Sequence, residues 1–106
     1  FEHTMRVNYL GTVHTVRAFL PHLFERKSGN IGIVSSLLGF MGTFGYTAYA
    51  PTKFALVGFA ECLRQECIEK NVSVTLCYPP DTDTPRRRAS ARLGVTRVAR
   101  GSISCR

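Results

Sequence analysis

The chain has 106 residues, 44% of them hydrophobic and 20% charged, which suits a small globular unit and argues against a disordered one. The net charge of +7 is unevenly placed: residues 1–85 hold seven basic and seven acidic groups, while the last 21 hold seven arginines and no acid. The excess therefore marks a boundary near Pro85 and does not describe a basic fold.

No apolar run is long enough for a membrane helix, since the stretch from Leu37 to Met41 is short and broken by Gly39. No charged start followed by an apolar block marks a secretory signal. An opening Phe1 in place of Met predicts a true amino terminus upstream. Cys62, Cys67, Cys77 and Cys105 form no CxxC pair and no zinc spacing, so they are expected as core-filling thiols in a reducing compartment.

From about His3 to Arg26, Val7, Leu10, Val13, Val16, Leu20, Leu23 and Phe24 recur at spacings of three and four, which predicts a helix with one buried face. Pro21 is expected to kink it, because the ring removes a backbone donor. Lys27-Ser28-Gly29-Asn30 predicts the stop, with a basic last turn and a glycine. Ile31 to Ser35 then reads as a buried parallel strand, followed by a loop carrying Gly39, Gly42 and Gly45. A second helix is expected from about Tyr46 to Lys70, with a stripe at Leu56, Ala60, Leu63 and Cys67. Val72 to Tyr78 reads as a second strand, ended by Pro79-Pro80-Asp81. The order helix, strand, helix, strand predicts an α/β fold whose strand–helix–strand portion is a crossover in a parallel sheet.

The tail at 86–106 shows no sustained period. Its Arg, Ala, Ser and Gly content fits a disordered end or a shifted reading frame. An arm that binds nucleic acid is the alternative, since clustered arginine attracts phosphate. The tail lacks interleaved aromatics for base stacking, so no nucleic-acid partner is expected.

Ligands of parallel α/β sheets bind beyond the carboxyl ends of the strands. Ser35-Ser36 closes the first strand and the run Pro79 to Thr84 leaves the second, so both belong to that edge. Tyr49 and Lys53 lie near it too, four residues apart and hence on one helical face. A phenol titrates near 10, too high for ready proton exchange at neutral pH, and a nearby ammonium favours the phenolate. A serine hydroxyl beside such a pair could hold a substrate oxygen, giving a general acid for ketone reduction or a general base for alcohol oxidation. Each residue also has a plain alternative. Tyr with Lys at i+4 is common on solvated helices, Ser-Ser after a strand is usual turn chemistry, and Asn8 could simply face solvent.

Taken together, Asn8-Tyr9-Leu10-Gly11, Ile33-Val34-Ser35-Ser36-x-x-Gly39 and Tyr49-x-x-x-Lys53, with 13 residues from Ser36 to Tyr49, resemble the short-chain dehydrogenase/reductase family. The resemblance covers residues 1–85 and implies a Rossmann-like doubly wound parallel sheet, of which this chain would hold the carboxyl-side part of the catalytic core. It implies Tyr49 as proton donor and acceptor, and Lys53 as its modulator and a ligand of the nicotinamide ribose. Ser36 would orient the substrate, and Asn8 would hold a water of the proton relay. Pro79, Thr82 and Thr84 match the loop that contacts the nicotinamide end of the cofactor.

Tyr49-Ala50-Pro51-Thr52-Lys53 and the double proline Pro79-Pro80 look like one branch of that family, the reductases that convert 3-ketosphinganine to sphinganine with NADPH. The resemblance implies a lipid ketone substrate and a site in the cytoplasm or at the cytosolic face of the endoplasmic reticulum. It also implies a homo-oligomer formed through the two helices, with Phe54 and Phe59 on the pairing faces, and membrane attachment through segments outside these residues. The glycine-rich strand–turn–helix that binds pyrophosphate is absent from this sequence, as are the residues that choose NADP over NAD, so NADH stays open. Two alternatives also stay open: a dehydrogenase of another lipid, sterol or secondary alcohol, and a non-catalytic binding segment. The 106 residues alone are expected to be inactive and poorly folded, for want of partner strands.

Overall fold

The first apolar stripe forms a helical stretch with one irregular section. In this computed structural model, which describes residues 1–80, it comprises α1 (Glu2–Met5), a π-helical turn (Arg6–Leu10) and α2 (Gly11–Arg26). At the π turn the Gly11 N–H donates to Arg6 O, five residues back, a widening that the three-and-four spacing does not reveal. The Thr12 hydroxyl donates to Asn8 O at 2.9 Å and so competes for a carbonyl of the regular ladder. α2 continues through Pro21, and the change from the α hydrogen-bond pattern lies at Arg6–Leu10.

The helix stop differs from expectation in its residue. Lys27, not a glycine, takes the left-handed position (φ 49°), with its N–H bonded to Leu23 O and Phe24 O. Gly29 already belongs to the next strand. A Cβ there would lie 2.7 Å from Leu23 Cδ2, so the glycine serves close helix–strand packing and not the cap.

Two strands, β1 (Gly29–Val34) and β2 (Val72–Cys77), pair in parallel in the register Gly29↔Val72 through Val34↔Cys77. α3 (Ala50–Cys67) connects them, after a short 3-10 turn at Leu37–Gly39 and before another at Ile68–Lys70. Side chains alternate faces along a strand, so Ile31, Ile33, Val72, Val74 and Leu76 share one face. That face meets Val16 of α2 and Leu56, Ala60, Leu63 and Cys67 of α3 in one core. Ile33 and Leu56 are each 1% exposed, and burying such a side chain stabilises by about 1.5–3 kcal/mol.

The expected elements therefore form, with corrected limits. β1 starts two residues earlier than Ile31 and ends at Val34, and α3 begins at Ala50 because residues 46–49 form turns that precede it. β1 is buried on one face only: the described residues supply the helices of one face, and Asn30, Gly32 and Val34 are exposed on the other. Cys67 fills the core as expected, whereas Cys62 and Cys77 are exposed free thiols. Thr82, Thr84 and the tail at 86–106 lie outside the described residues. Among those described, no helix is long and apolar enough to cross a membrane, and no three His, Cys, Asp or Glu side chains gather as a metal site.

Candidate active site

The site is assembled where both strands end. The ladder continues one step past β1, since Ser35 N–H donates to Cys77 O at 2.8 Å, and Leu37 N–H donates to Pro79 O at 3.3 Å. These bonds tie the loop after β1 to the loop after β2 and bring Pro79 beside the two serines.

The serines divide their tasks by the two-residue period. Ser35 is 2% exposed, and its Oγ donates to Lys53 O at 3.0 Å, which fastens α3 to the strand end. Ser36 is half-buried and caps the 3-10 turn, its Oγ accepting from Leu38 N–H at 3.2 Å. The Ser36 hydroxyl proton is left for a ligand oxygen, because that bond uses only a lone pair. Gly39 closes the turn against α3. A Cβ there would lie 2.2 Å from Ser35 Oγ and 2.9 Å from Lys53 O, so no other residue fits without displacement.

Tyr49 is the N-cap of α3, and Pro51 sits in the first turn, where its missing N–H costs nothing. One turn on, the Lys53 side chain returns toward Tyr49. Its Nζ lies 5.6 Å from the Tyr49 ring centroid and donates to Val34 O at 3.1 Å. Burial pushes the Lys53 pKa below the ordinary lysine value, because the ammonium loses part of its hydration. Val34 O is the hydrogen-bond partner assigned to this ammonium among the described residues, so two of its three donors remain for another ligand.

Asn8 comes to the site from the π turn. Its Nδ2 donates to Thr52 Oγ1 at 3.0 Å, and Thr52 Oγ1 donates to Tyr49 O at 2.7 Å. The predicted residues Asn8, Ser36, Tyr49, Lys53 and Pro79 thus gather at one end of the sheet, and Asn8, Tyr49, Lys53 and Ser36 are linked to neighbours by bonds the sequence does not announce. Thr52, Ser35 and Gly39 carry those links. Asn8 and Thr52 are 44 residues apart, and no local pattern marks such a contact. Phe59, expected on a pairing face, packs edge-to-face on Tyr9 at 6.2 Å within the chain, whereas Phe54 is exposed.

An open groove of about 460 Å³ lies on the next face of α3, lined by Gly42, Thr43, Tyr46, Thr47, Ala50, Pro51 and Phe54. Phe40, Met41 and Phe44 are exposed on the loop that leads to it. No charged residue occurs between Lys27 and Lys53, so this side of the site is apolar apart from hydroxyl, phenol and amide groups.

Comparison with known proteins agrees with this geometry. The profile of the family described as short chain dehydrogenase matches residues 1–92. Over 85 residues the chain is 54% identical to the 3-dehydrosphinganine reductase of Danio rerio, covering 80% of this chain and 26% of that protein. The 3-ketodihydrosphingosine reductase of Bos taurus is 53% identical over the same length, with the same coverage. Among solved structures, a short chain dehydrogenase from Burkholderia cenocepacia J2315 in complex with NADP superposes with a TM-score of 0.75 at 28% identity, covering 92% of this chain and 45% of that one. The chain spans about a quarter of the length of the curated relatives it matches.

Proposed function

This chain belongs to the short-chain dehydrogenase family, with the α/β Rossmann architecture of its solved relatives, and on that premise we propose that it carries the proton-transfer centre of an NADPH-dependent reductase. The substrate in this reading is the keto group of a long-chain lipid, 3-ketosphinganine, reduced to the secondary alcohol. The observation that carries it is Lys53, whose ammonium is bonded to the end of β1 while standing 5.6 Å from the Tyr49 ring. The identity of 54% with a 3-dehydrosphinganine reductase supports the choice of substrate.

The residues present fit the nicotinamide-ribose end of a dinucleotide. Lys53 has two N–H donors left after Val34 O, and a phenol both donates and accepts, a set suited to a pair of ribose hydroxyls. When bound, the nicotinamide supplies the hydride. Every proton task falls to the chain itself. Ser36 Oγ–H donates to the ketone oxygen and holds it, and the Tyr49 phenol gives its proton to that oxygen as negative charge develops there. The adjacent Lys53 ammonium favours the phenolate left behind, and Asn8 holds a water of the proton relay. Pro79, Thr82 and Thr84 complete the cofactor-contacting loop in this reading. The reaction takes place in the cytoplasm or at the cytosolic face of the endoplasmic reticulum, in a homo-oligomer whose pairing faces include Phe54.

The test is Tyr49→Phe in the intact polypeptide that contains this chain, assayed with NADPH and 3-ketosphinganine. Turnover falls about 100- to 10,000-fold if the phenol is the general acid. Turnover within about twofold of the parent would sink the assignment.

A further inference from the structure

One buried hydroxyl in the site has no task in the chemistry above. Thr52 lies between Tyr49 and Lys53 in sequence and is 1% exposed. Its Oγ1 makes two hydrogen bonds, to Tyr49 O at 2.7 Å and to Asn8 Nδ2 at 3.0 Å. The Tyr49 carbonyl can only accept, so the single hydroxyl proton is committed there. Toward Asn8 the oxygen can then only accept, and Asn8 must present its NH2 and not its carbonyl oxygen. Which end of an amide side chain points where is read from its bonding network, and here the network allows one answer.

The two backbones that this hydroxyl joins are both irregular. Asn8 sits in the π turn Arg6–Leu10, and Tyr49 is an N-cap at φ −97°, ψ −51° with no side-chain cap bond of its own. Tyr49 N–H donates to Tyr46 O and Tyr49 O also accepts from Thr52 N–H, each at 3.0 Å, so what the Thr52 hydroxyl adds is the side-chain tie between this N-cap and Asn8.

We propose that Thr52 is a positioning residue for the reaction: its hydroxyl sets the pose of the Tyr49 backbone and the polarity of the Asn8 amide together. This rests on the reading of Tyr49 and Asn8 given above. Thr52 acts through those two residues and touches neither substrate nor cofactor. The requirement is for a hydroxyl and not for bulk. Valine keeps the volume but offers no donor or acceptor, which frees the Asn8 amide to turn and strips Tyr49 O of its side-chain partner. Serine keeps both bonds.

The experiment uses the intact polypeptide that contains this chain, with NADPH and 3-ketosphinganine, and compares Thr52→Val, Thr52→Ser and Tyr49→Phe with the parent. Thr52→Val is expected to lower kcat about 10- to 100-fold, the size of effect that misplacement of a reacting group produces. KM for the ketone stays within about twofold, and Thr52→Ser recovers kcat to within about threefold, since only a positioning bond was lost. Without cofactor, the Asn8 side-chain amide protons exchange slowly with solvent in the parent and in Thr52→Ser, and fast in Thr52→Val.

An inactive Tyr49→Phe beside a Thr52→Val of normal kcat overturns the role of Thr52 and leaves its premise standing. An active Tyr49→Phe overturns the premise, and the inference with it. Unchanged Asn8 amide exchange in Thr52→Val also overturns the inference. If Thr52→Val does not fold, the smaller Thr52→Ala is read in its place, and failure of both to fold overturns the proposal by assigning Thr52 to folding alone.

Discussion

Both ends of the parallel sheet are polar, and they spend their polarity differently. At the amino end, Lys27 and Asn71 both occupy the left-handed region, with φ of 49° and 54°. Asn71 Nδ2 donates to Lys27 O at 2.9 Å, and the side chains of Ser73 and Asn30 bond to each other. These groups satisfy one another and the chain turns they sit in. At the carboxyl end, Ser35, Thr52 and the Val34 carbonyl are likewise engaged, but Ser36, Tyr49 and Lys53 stay half-buried with polar atoms to spare. A polar strand end is therefore not a site by composition. Donors left over once the backbone is satisfied make it one.

That contrast can be broken most sharply at Lys53. Lys53→Met keeps the length of the stem and removes the ammonium, and NADPH oxidation by the intact polypeptide is expected to fall about 100-fold or more. A rate near that of the parent would mean that the spare donors of the carboxyl end are ornamental.

Gly39→Ala comes next. Its Cβ would meet Ser35 Oγ and Lys53 O at sub-contact distance, so stability is expected to drop by about 1–3 kcal/mol, read as a lower melting temperature. The same variant should impair turnover, because the displaced atoms hold Lys53.

Changes at the amino end should move stability alone. Asn71→Ala loses both the bond to Lys27 O and a residue tolerant of the left-handed region, at a cost of about 1–2 kcal/mol. Lys27→Gly should have the opposite sign, gaining about 0.5–1 kcal/mol where a side chain is disfavoured. Denaturant titration checks both, and a change in kcat per folded molecule would blur the distinction between the two ends.

The smallest effect is a pH slope. Burial lowers the Lys53 pKa in the folded state, so the cost of burying the charge is full at neutral pH. As pH rises through the lowered folded value toward the ordinary lysine value, the unfolded chain binds more protons and unfolding free energy rises. Stability measured across that alkaline window should therefore increase in the parent relative to Lys53→Met, and an equal slope in both would show that Lys53 is not desolvated.

Much of this was legible in the residues because the patterns involved are local. The three-and-four spacing from Val7 to Phe24 marks one helix face, the β-branched runs mark the strands, and Tyr49 with Lys53 is a one-turn pair. What stayed hidden depends on contact across the chain. The π turn at Arg6–Leu10 has no compositional sign, and the Asn8–Thr52 bond joins residues 44 apart. Gly29 reads as a helix stop but lies in β1 against the Leu23 side chain, while Lys27 takes the strained position. Ser35 and Ser36 are chemically identical in sequence, and only the alternation of the strand sends one inward and leaves the other at the site.

The most direct measurement replaces the matching 85 residues of the Danio rerio 3-dehydrosphinganine reductase with those of this chain and follows NADPH oxidation on addition of 3-ketosphinganine. Turnover that needs Tyr49 is the predicted result, with the Tyr49→Phe form of the same hybrid silent. A hybrid that melts cooperatively and binds NADPH but does not reduce the ketone, or that turns over equally well with Tyr49→Phe, would contradict the account.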